Sequence, residues 1–187
     1  NIKSLLKLKP LNFYLHELFF SYGFNSKDLS KLLLSRTGKQ LFSKTHRIIV
    51  DRDFLVLKEL IEKEKECYLL DFNKKELKLP VKLDFKYVSC YDEKLLNHKF
   101  ASIDLIKIKE PLILRKPQSK DYFYPIGMQG KKFVSKYFKD EKYSIYDKEN
   151  QWLLVSNNDI VWVVGKRLDS RFAANKKSMK VLEITCV

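Results

Sequence analysis

Leu11 to Tyr22 (LNFYLHELFFSY) places Leu11, Leu15, Leu18 and Tyr22 at three- and four-residue steps. That is the period of an amphipathic helix, and Gly23 follows as a C-terminal stop. Asn25 then caps a second predicted helix, with Asp28 in the acidic position of a capping box. Leu29, Leu32 and Leu33 give this helix an apolar face, and Gly38 marks its end. Two short helices joined by a tight turn admit a helix-turn-helix. A packed helical hairpin is the simpler reading, because the second helix has few residues suited to base edges. His16 is read as a packed core or boundary histidine of the first helix.

The pattern then changes to period two. KQLFS, HRIIV and FLVLKEL, separated by SKT and DRD, predict three strands. Glu59 to Glu66 is a charged spacer. Leu77 to Tyr87 alternates cleanly, with Leu77, Leu79, Val81, Leu83, Phe85 and Tyr87 on one face. This predicts a half-buried strand, and Pro80 places it at an edge or bulge. Its other face carries Lys78, Lys82, Asp84 and Lys86, which suits either phosphate binding or edge protection. Asp92 to Phe100 reads as a linker or short helix. Beyond it come a strand (PLILR), a polar loop (KPQSKD), and a hairpin with Trp152–Val155 and Ile160–Val164 flanking SNND. Gly165 ends that hairpin, and a final strand runs from Met179 to Val187 with Leu182, Ile184 and Cys186 on one face. The fold class is α+β, in two small units. The first, 1–107, is a helical hairpin followed by an antiparallel sheet. The second, 108–187, is β-rich with one short helix.

Charge narrows the range of partners. The 187 residues carry 37 Lys and Arg against 23 Asp and Glu, a formal net charge of +14. Each predicted unit holds +7, so the shorter second unit is the more densely charged. Such an excess points to a polyanion, either nucleic acid or an anionic membrane surface. No apolar run approaches the ~20 residues that span a bilayer, and NIKSLLKLKP lacks the core and cleavage site of a signal peptide. The Asn at position 1 suggests a piece of a longer chain. Cys67, Cys90 and Cys186 are few and scattered, which fits a reducing compartment. No spacing of Cys and His suggests a metal site. An Asp71…Glu76-Leu-Lys78 set would suit a metal-dependent nuclease, but such short sets are common by chance.

The most informative stretch is YPIGMQGKKFVSKYF, Tyr124 to Phe138. A phosphate-binding P-loop needs GxxxxGK followed by Ser or Thr. Here Gly127 and Gly130 have two residues between them, and Phe133 follows Lys131-Lys132. The five glycines of the chain allow no dinucleotide fingerprint. If 131–139 is helical, Val134, Tyr137 and Phe138 share one face and Lys132, Lys136 and Lys139 the other. Its start, directly after Gly130, would aim free N–H groups at phosphate. From Arg115 to Lys136 six basic residues face one acid, Asp121, and from Gly165 to Lys180 six more face Asp169. Tyr122, Tyr124 and Phe172 add aromatic faces. This is the footprint of a nucleic-acid surface, although a solvated lysine face alone would look similar.

PLILRK, DYFYPIGMQGKK-x-x-S-x-x-F-x-D-x-K and W-x-x-V-x-x-x-D-I-V-W-V-V-G-x-R-x-D-x-R-F resemble the C-terminal domain of bacterial tRNA(Ile)-lysidine synthetase, also called synthase. YGFN and GKQLFSKTHRIIVDRDFLVL resemble the preceding domain in members from the Bacteroidetes. Together the resemblance covers nearly the whole chain. It implies a cytoplasmic ATP-dependent ligase of tRNA modification. That family joins lysine to the wobble cytidine of a tRNA(Ile) with a CAU anticodon. ATP and magnesium are implied for an N-terminal catalytic domain with an SGGxDS loop. That loop does not occur in these 187 residues, and no catalytic residue, metal or cofactor is assigned to them.

The implied partners are that tRNA, the family's own N-terminal domain and, since members can dimerise, a second copy; no membrane is implied. Onto the matching positions the resemblance carries Arg115, Asp121, Gly127, Gly130, Lys132, Gly165, Arg167 and Arg171. Gly127, Gly130, Gly165 and Asp121 shape turns, and Trp162 and Phe172 pack. Arg115, Lys116, Lys131, Lys132, Lys136, Arg167 and Arg171 are the expected tRNA contacts. The sequence departs from the family at Lys120, where glycine is usual, at Pro117 and at Phe133. A stand-alone RNA-binding or dimerisation module is the alternative reading.

Overall fold

The computed structural model describes residues 1–60, 67–70, 79–89, 91 and 99–187. The chain divides into two units, Asn1–Glu64 with Ser144–Tyr146, and Lys65–Tyr143 with Asp147–Val187. Both are α+β.

In the first unit a short helix α1, Ile2–Leu5, precedes α2, Leu11–Phe19, which tightens into one 3₁₀ turn at Phe20–Tyr22. Gly23 then takes a left-handed φ of 82°. A Cβ there would lie 3.1 Å from that of Ser43, so the stop is set by space as well as by backbone. Helix α3, Ser26–Leu33, starts as its sequence predicts. The Asn25 side-chain oxygen accepts from the Asp28 N–H at 2.8 Å, and its amide donates to the Asp28 carboxylate. The helix stops at Leu33, five residues before Gly38. Strands β1 (Gln40–Phe42), β2 (His46–Asp51) and β3 (Phe54–Glu59) form an antiparallel meander with β2 central. Leu15 of α2, Leu29, Leu32 and Leu33 of α3, and Ile48 and Val50 of β2 form one core.

Two expectations for α2 are corrected. Leu18 is 47% exposed, because Leu11, Leu15, Phe19 and Tyr22 fill the inward stripe. His16 is a surface residue, its ring stacked on Phe20 at 4.5 Å.

The second unit is built on two sheets. Its strands are β4 (Cys67–Leu69), β5 (Leu83–Val88), β6 (Phe100–Asp104), β7 (Leu112–Arg115), β8 (Tyr122–Phe123), β9 (Lys132–Phe133), β10 (Leu153–Ser156), β11 (Asp159–Val163), β12 (Arg167–Leu168) and β13 (Val181–Cys186). One antiparallel sheet has the order β12-β11-β10-β7-β4, another β5-β13-β6, and β8 and β9 form a two-stranded ribbon. Helix α4, Val134–Asp140, follows β9, and α5, Ile145–Asn150, comes next, so the chain has two short helices here where one was expected.

The five-stranded sheet is buried on both faces. Leu112, Leu114, Leu154 and Trp162 pack with Ile103, Leu182 and Ile184 of the three-stranded sheet. Leu153, Val155, Ile160 and Val163 pack instead with Phe123 of β8 and with Val134, Tyr137 and Phe138 of α4. Burial on both faces explains the continuous apolar runs WLLV and IVWVV, in place of alternation.

Strand β5 is an edge strand, as Pro80 suggested, but it begins only at Leu83. Pro80 has no N–H for a ladder; Leu79 and Val81 still pack against the core without being in a strand. The boundary expected near residue 107 is displaced. Strand β13 pairs with β5 over Leu83–Val88 and with β6 over Phe100–Asp104, so the last strand of the chain is completed by residues before 107. Of the expected spacer Glu59 to Glu66, Glu59 closes β3, and of the expected linker Asp92 to Phe100, Phe100 opens β6; residues 61–66 and 92–98 lie outside the described residues, as do Asp71, Glu76, Lys78, Cys90 and His98.

Candidate nucleic-acid interface

The stretch Tyr124–Lys131 is the loop that joins β8 to β9. Register pairs Tyr122 with Phe133 and Phe123 with Lys132. Its base is tied to the β12 segment: the Ile126 N–H donates to the Leu168 carbonyl at 2.9 Å and the Ser170 N–H to the Tyr124 carbonyl at 2.7 Å. The Met128 N–H donates to the Pro125 carbonyl at 3.0 Å, which closes a turn with Gly127 at φ 77°. Positive φ at the third residue of such a turn is the type II requirement for glycine. Gly130 follows at φ 76°. A Cβ at either glycine would meet nothing within 4 Å, so backbone conformation alone asks for them. Gly165, φ 70°, turns the chain between β11 and β12.

The helix expected from Lys131 starts at Val134, with Phe133 as its N-cap. Residues 132 and 133 are held in the ribbon instead, because β8 offers them a ladder. The helix start therefore does not follow Gly130, and the Val134 N–H is taken by the Asp121 carbonyl at 2.8 Å. The apolar face is as predicted: Val134, Tyr137 and Phe138 are all buried. Burial and the nearby Glu141 carboxylate raise the Tyr137 pKa against the Arg167 guanidinium. Lys132 is not on the helix. It reaches across to Asp140 at 3.0 Å, and its hydrogen bond holds the Asp140 carboxyl below the ordinary value.

Several other expected contacts are similarly engaged. Arg115, at the end of β7, clasps Asp121 with two hydrogen bonds of 2.7 and 2.8 Å, and both side chains are almost buried. Asp121 also accepts from the Gln118 N–H at 2.7 Å, so this pair pins the loop 115–121. Lys120 occupies the usual glycine position and adopts φ 73°, the left-handed conformation a glycine would supply. Lys116 donates to the Glu149 carbonyl at 2.6 Å and lies 4.0 Å over the Trp152 ring. Arg167 reaches the Ile126 carbonyl at 3.5 Å and hydrogen-bonds Tyr137, while its buried Nε has no partner among the described residues.

Arg171 is the most constrained. It donates to the fully buried Asp169 and to Asp159, each at 2.9 Å, and lies 4.6 Å over the Tyr124 ring. Burial works against its charge, but the bonds to Asp169 and then Asp159 outweigh this and hold its pKa above the ordinary value. Asp169 accepts from the Tyr124 and Arg171 N–H groups as well. The D-x-R spacing of Asp169 and Arg171 is the local sequence signal for this hub.

Lys131 and Lys136 differ from these. Both are exposed, and neither forms an ion pair with a carboxylate among the described residues. Lys131 lies 3.6 Å over the Tyr122 ring and 5.4 Å over Phe133. Among the described residues no group of three His, Cys, Asp or Glu side chains is gathered to hold a metal, and no helix is long and apolar enough to cross a membrane.

Residues 1–60 match the family model described as the TilS substrate binding domain. Over 97% of its length the chain is 39% identical to the tRNA(Ile)-lysidine synthase of Parabacteroides distasonis, and 34% identical to that of Bacteroides thetaiotaomicron. It spans 43% and 41% of those two relatives, about two fifths of their length. The fold is similar to a crystal structure of the TilS C-terminal domain, with a TM-score of 0.51 and 18% identity, over 57% of this chain and 86% of that one. Over nearly its whole length the chain thus resembles the C-terminal region of the tRNA(Ile)-lysidine synthases.

Proposed function

We propose that this chain is the tRNA-docking region of a tRNA(Ile)-lysidine synthase. In this reading it holds the tRNA body and acceptor stem while another part of the enzyme uses ATP and magnesium to join lysine to the wobble cytidine of tRNA(Ile) with a CAU anticodon. The observation that carries the reading is the exposed lysine pair, Lys131 at the end of the loop before β9 and Lys136 on α4, in a chain of net charge +14. Exposed lysines outside close ion pairs among the described residues suit phosphates, which give affinity and steep salt dependence without reading sequence. Arg115, Lys116, Lys132 and Arg171 serve this surface by holding its loops, since their polar atoms already bond within the protein.

The test is a fluorescence-anisotropy titration with tRNA(Ile) of CAU anticodon at two salt concentrations, with methionine tRNA as competitor. Binding is expected to weaken steeply with salt. Lys131→Ala or Lys136→Ala is expected to flatten the logarithmic salt slope by about one each. No binding at low salt would overturn the reading. This chain alone is also expected to release no AMP in the presence of tRNA, ATP and lysine.

A second reading has its own observation. Helix α2 and the 3₁₀ turn after it expose Phe13, Leu18 and Phe20, at 56%, 47% and 63%. Such exposed apolar side chains suit a protein contact, either with a second copy or with the catalytic domain. Salt-insensitive self-association in sedimentation would favour the copy.

A further inference from the structure

The β8–β9 ribbon has two unlike faces. Directly opposed residues of an antiparallel pair share a face. The inner pair is Phe123, fully buried, with the stem of Lys132. The outer pair is Tyr122 and Phe133, which are 36% and 46% exposed. Period two adds Tyr124 beside Tyr122 and Lys131 beside Phe133. The contacts agree: Tyr122 meets Tyr124 edge-on at 6.2 Å, and the Lys131 ammonium caps Tyr122. Arg171 closes the row over Tyr124.

Nothing in the packing requires this row. The exposed face of a two-stranded ribbon is served by short polar residues, yet Tyr122 and Phe133 stand here, extended at the loop ends by Tyr124 and Lys131. Asp121, next to Tyr122 in the chain, is committed to Arg115, and Asp169, which accepts from the Tyr124 N–H, is committed to Arg171. An exposed strand face that combines rings with unneutralised positive charge has one fitting ligand chemistry, because a ring stacks on a nucleobase and the cation meets the adjoining phosphate. A protein partner would gain from the rings but not from the charge. A duplex would use the charge but could not offer base faces to the rings.

We propose that the outer face of this ribbon, Tyr122, Tyr124, Lys131 and Phe133, is a stacking platform for unpaired nucleobases of the RNA. The inference rests on the tRNA-docking reading and adds a preference for single-stranded over paired nucleotides at this face. Lys131 holds the open face of Tyr122 until a base arrives, then turns to that nucleotide's phosphate.

The test uses the 187-residue chain with three RNAs: the tRNA, a short single strand carrying a fluorescent purine analogue, and a blunt duplex of equal length. In the unaltered protein, the analogue's fluorescence is expected to be quenched on binding, as stacking requires. Tyr122→Leu and Phe133→Leu are expected to weaken the single strand by about tenfold or more each, with duplex affinity changed less than about twofold and the salt slope retained. Lys131→Ala should weaken both RNAs and flatten the slope. Absence of quenching in the unaltered protein, or equal losses for duplex and single strand, would overturn the platform while leaving tRNA docking intact. Failure of every RNA to bind would overturn both. Unaltered RNA binding in the leucine variants, together with lost self-association, would reassign the rings to a protein contact and also overturn the proposal.

Discussion

At the level of single residues, the positive charge of this chain is of two kinds. Some cations are spent inside the protein, and counting residues along the sequence does not separate them from the rest. Arg115 is the sharpest case. It stands in a basic window and matches a family arginine, yet it is 11% exposed at the side chain and held by both oxygens of Asp121. A bidentate pair removed from water is costly to break from one side, because the surviving charge stays buried. Asp121→Ala is therefore expected to destabilise the chain by about 3 kcal/mol, seen as a lower midpoint in urea or heat. Arg115→Ala should cost a comparable amount of stability while leaving the salt slope of RNA binding unchanged. Lys131→Ala should do the reverse. A loss of slope in Arg115→Ala without a loss of stability would return that arginine to the phosphate surface.

At the level of elements, local signals were legible where they were complete within a few residues. The Asn25–Asp28 cap, the β1–β3 meander and the inward face of α4 could all be read from spacing. Signals that depend on a distant partner were not. Lys132 and Phe133 look helical in KKFVSKYF, and only the pairing with Tyr122 and Phe123 makes them a strand. The same pairing moves Lys132 off the helix and lets it meet Asp140, which lies just beyond the basic window. The loop between these strands is a backbone device. Gly127 and Gly130 sit at positive φ with open space around them, so Gly→Ala there adds strain and removes no contact. Each change is expected to cost about 1–2 kcal/mol, with no new cavity or clash. Lys120, at φ 73° without the usual glycine, supplies the control. Lys120→Gly should be neutral or slightly stabilising in the same thermal melt, because relief of strain opposes added chain entropy.

At the level of the whole molecule, the boundary near residue 107 failed because change of texture is not a measure of contact. The sequence after Ile108 does differ, with a higher net charge per residue and longer apolar runs. Yet β13, at the very end of the chain, is the central strand between β5 and β6. Its apolar residues Leu182 and Ile184 are fully buried against a core that also takes Ala101 and Ile103 of β6. The edge strand β4, at Cys67–Leu69, likewise completes the five-stranded sheet through β7. A fragment that starts at 108 would keep the basic motifs but leave both ladders of β13 unpaired, exposing apolar strand surface that aggregates readily. A fragment of 65–187 keeps β4, β5 and β6 together with β13. The second fragment is therefore expected to melt cooperatively and remain monodisperse, while the first shows no cooperative transition and precipitates or binds hydrophobic dye. A cooperative, soluble 108–187 fragment would mean that the core around Trp162 closes without the three-stranded sheet. RNA binding in 65–187 with a salt slope close to that of the intact chain would then place the working charge in this unit, where Lys131 and Lys136 stand.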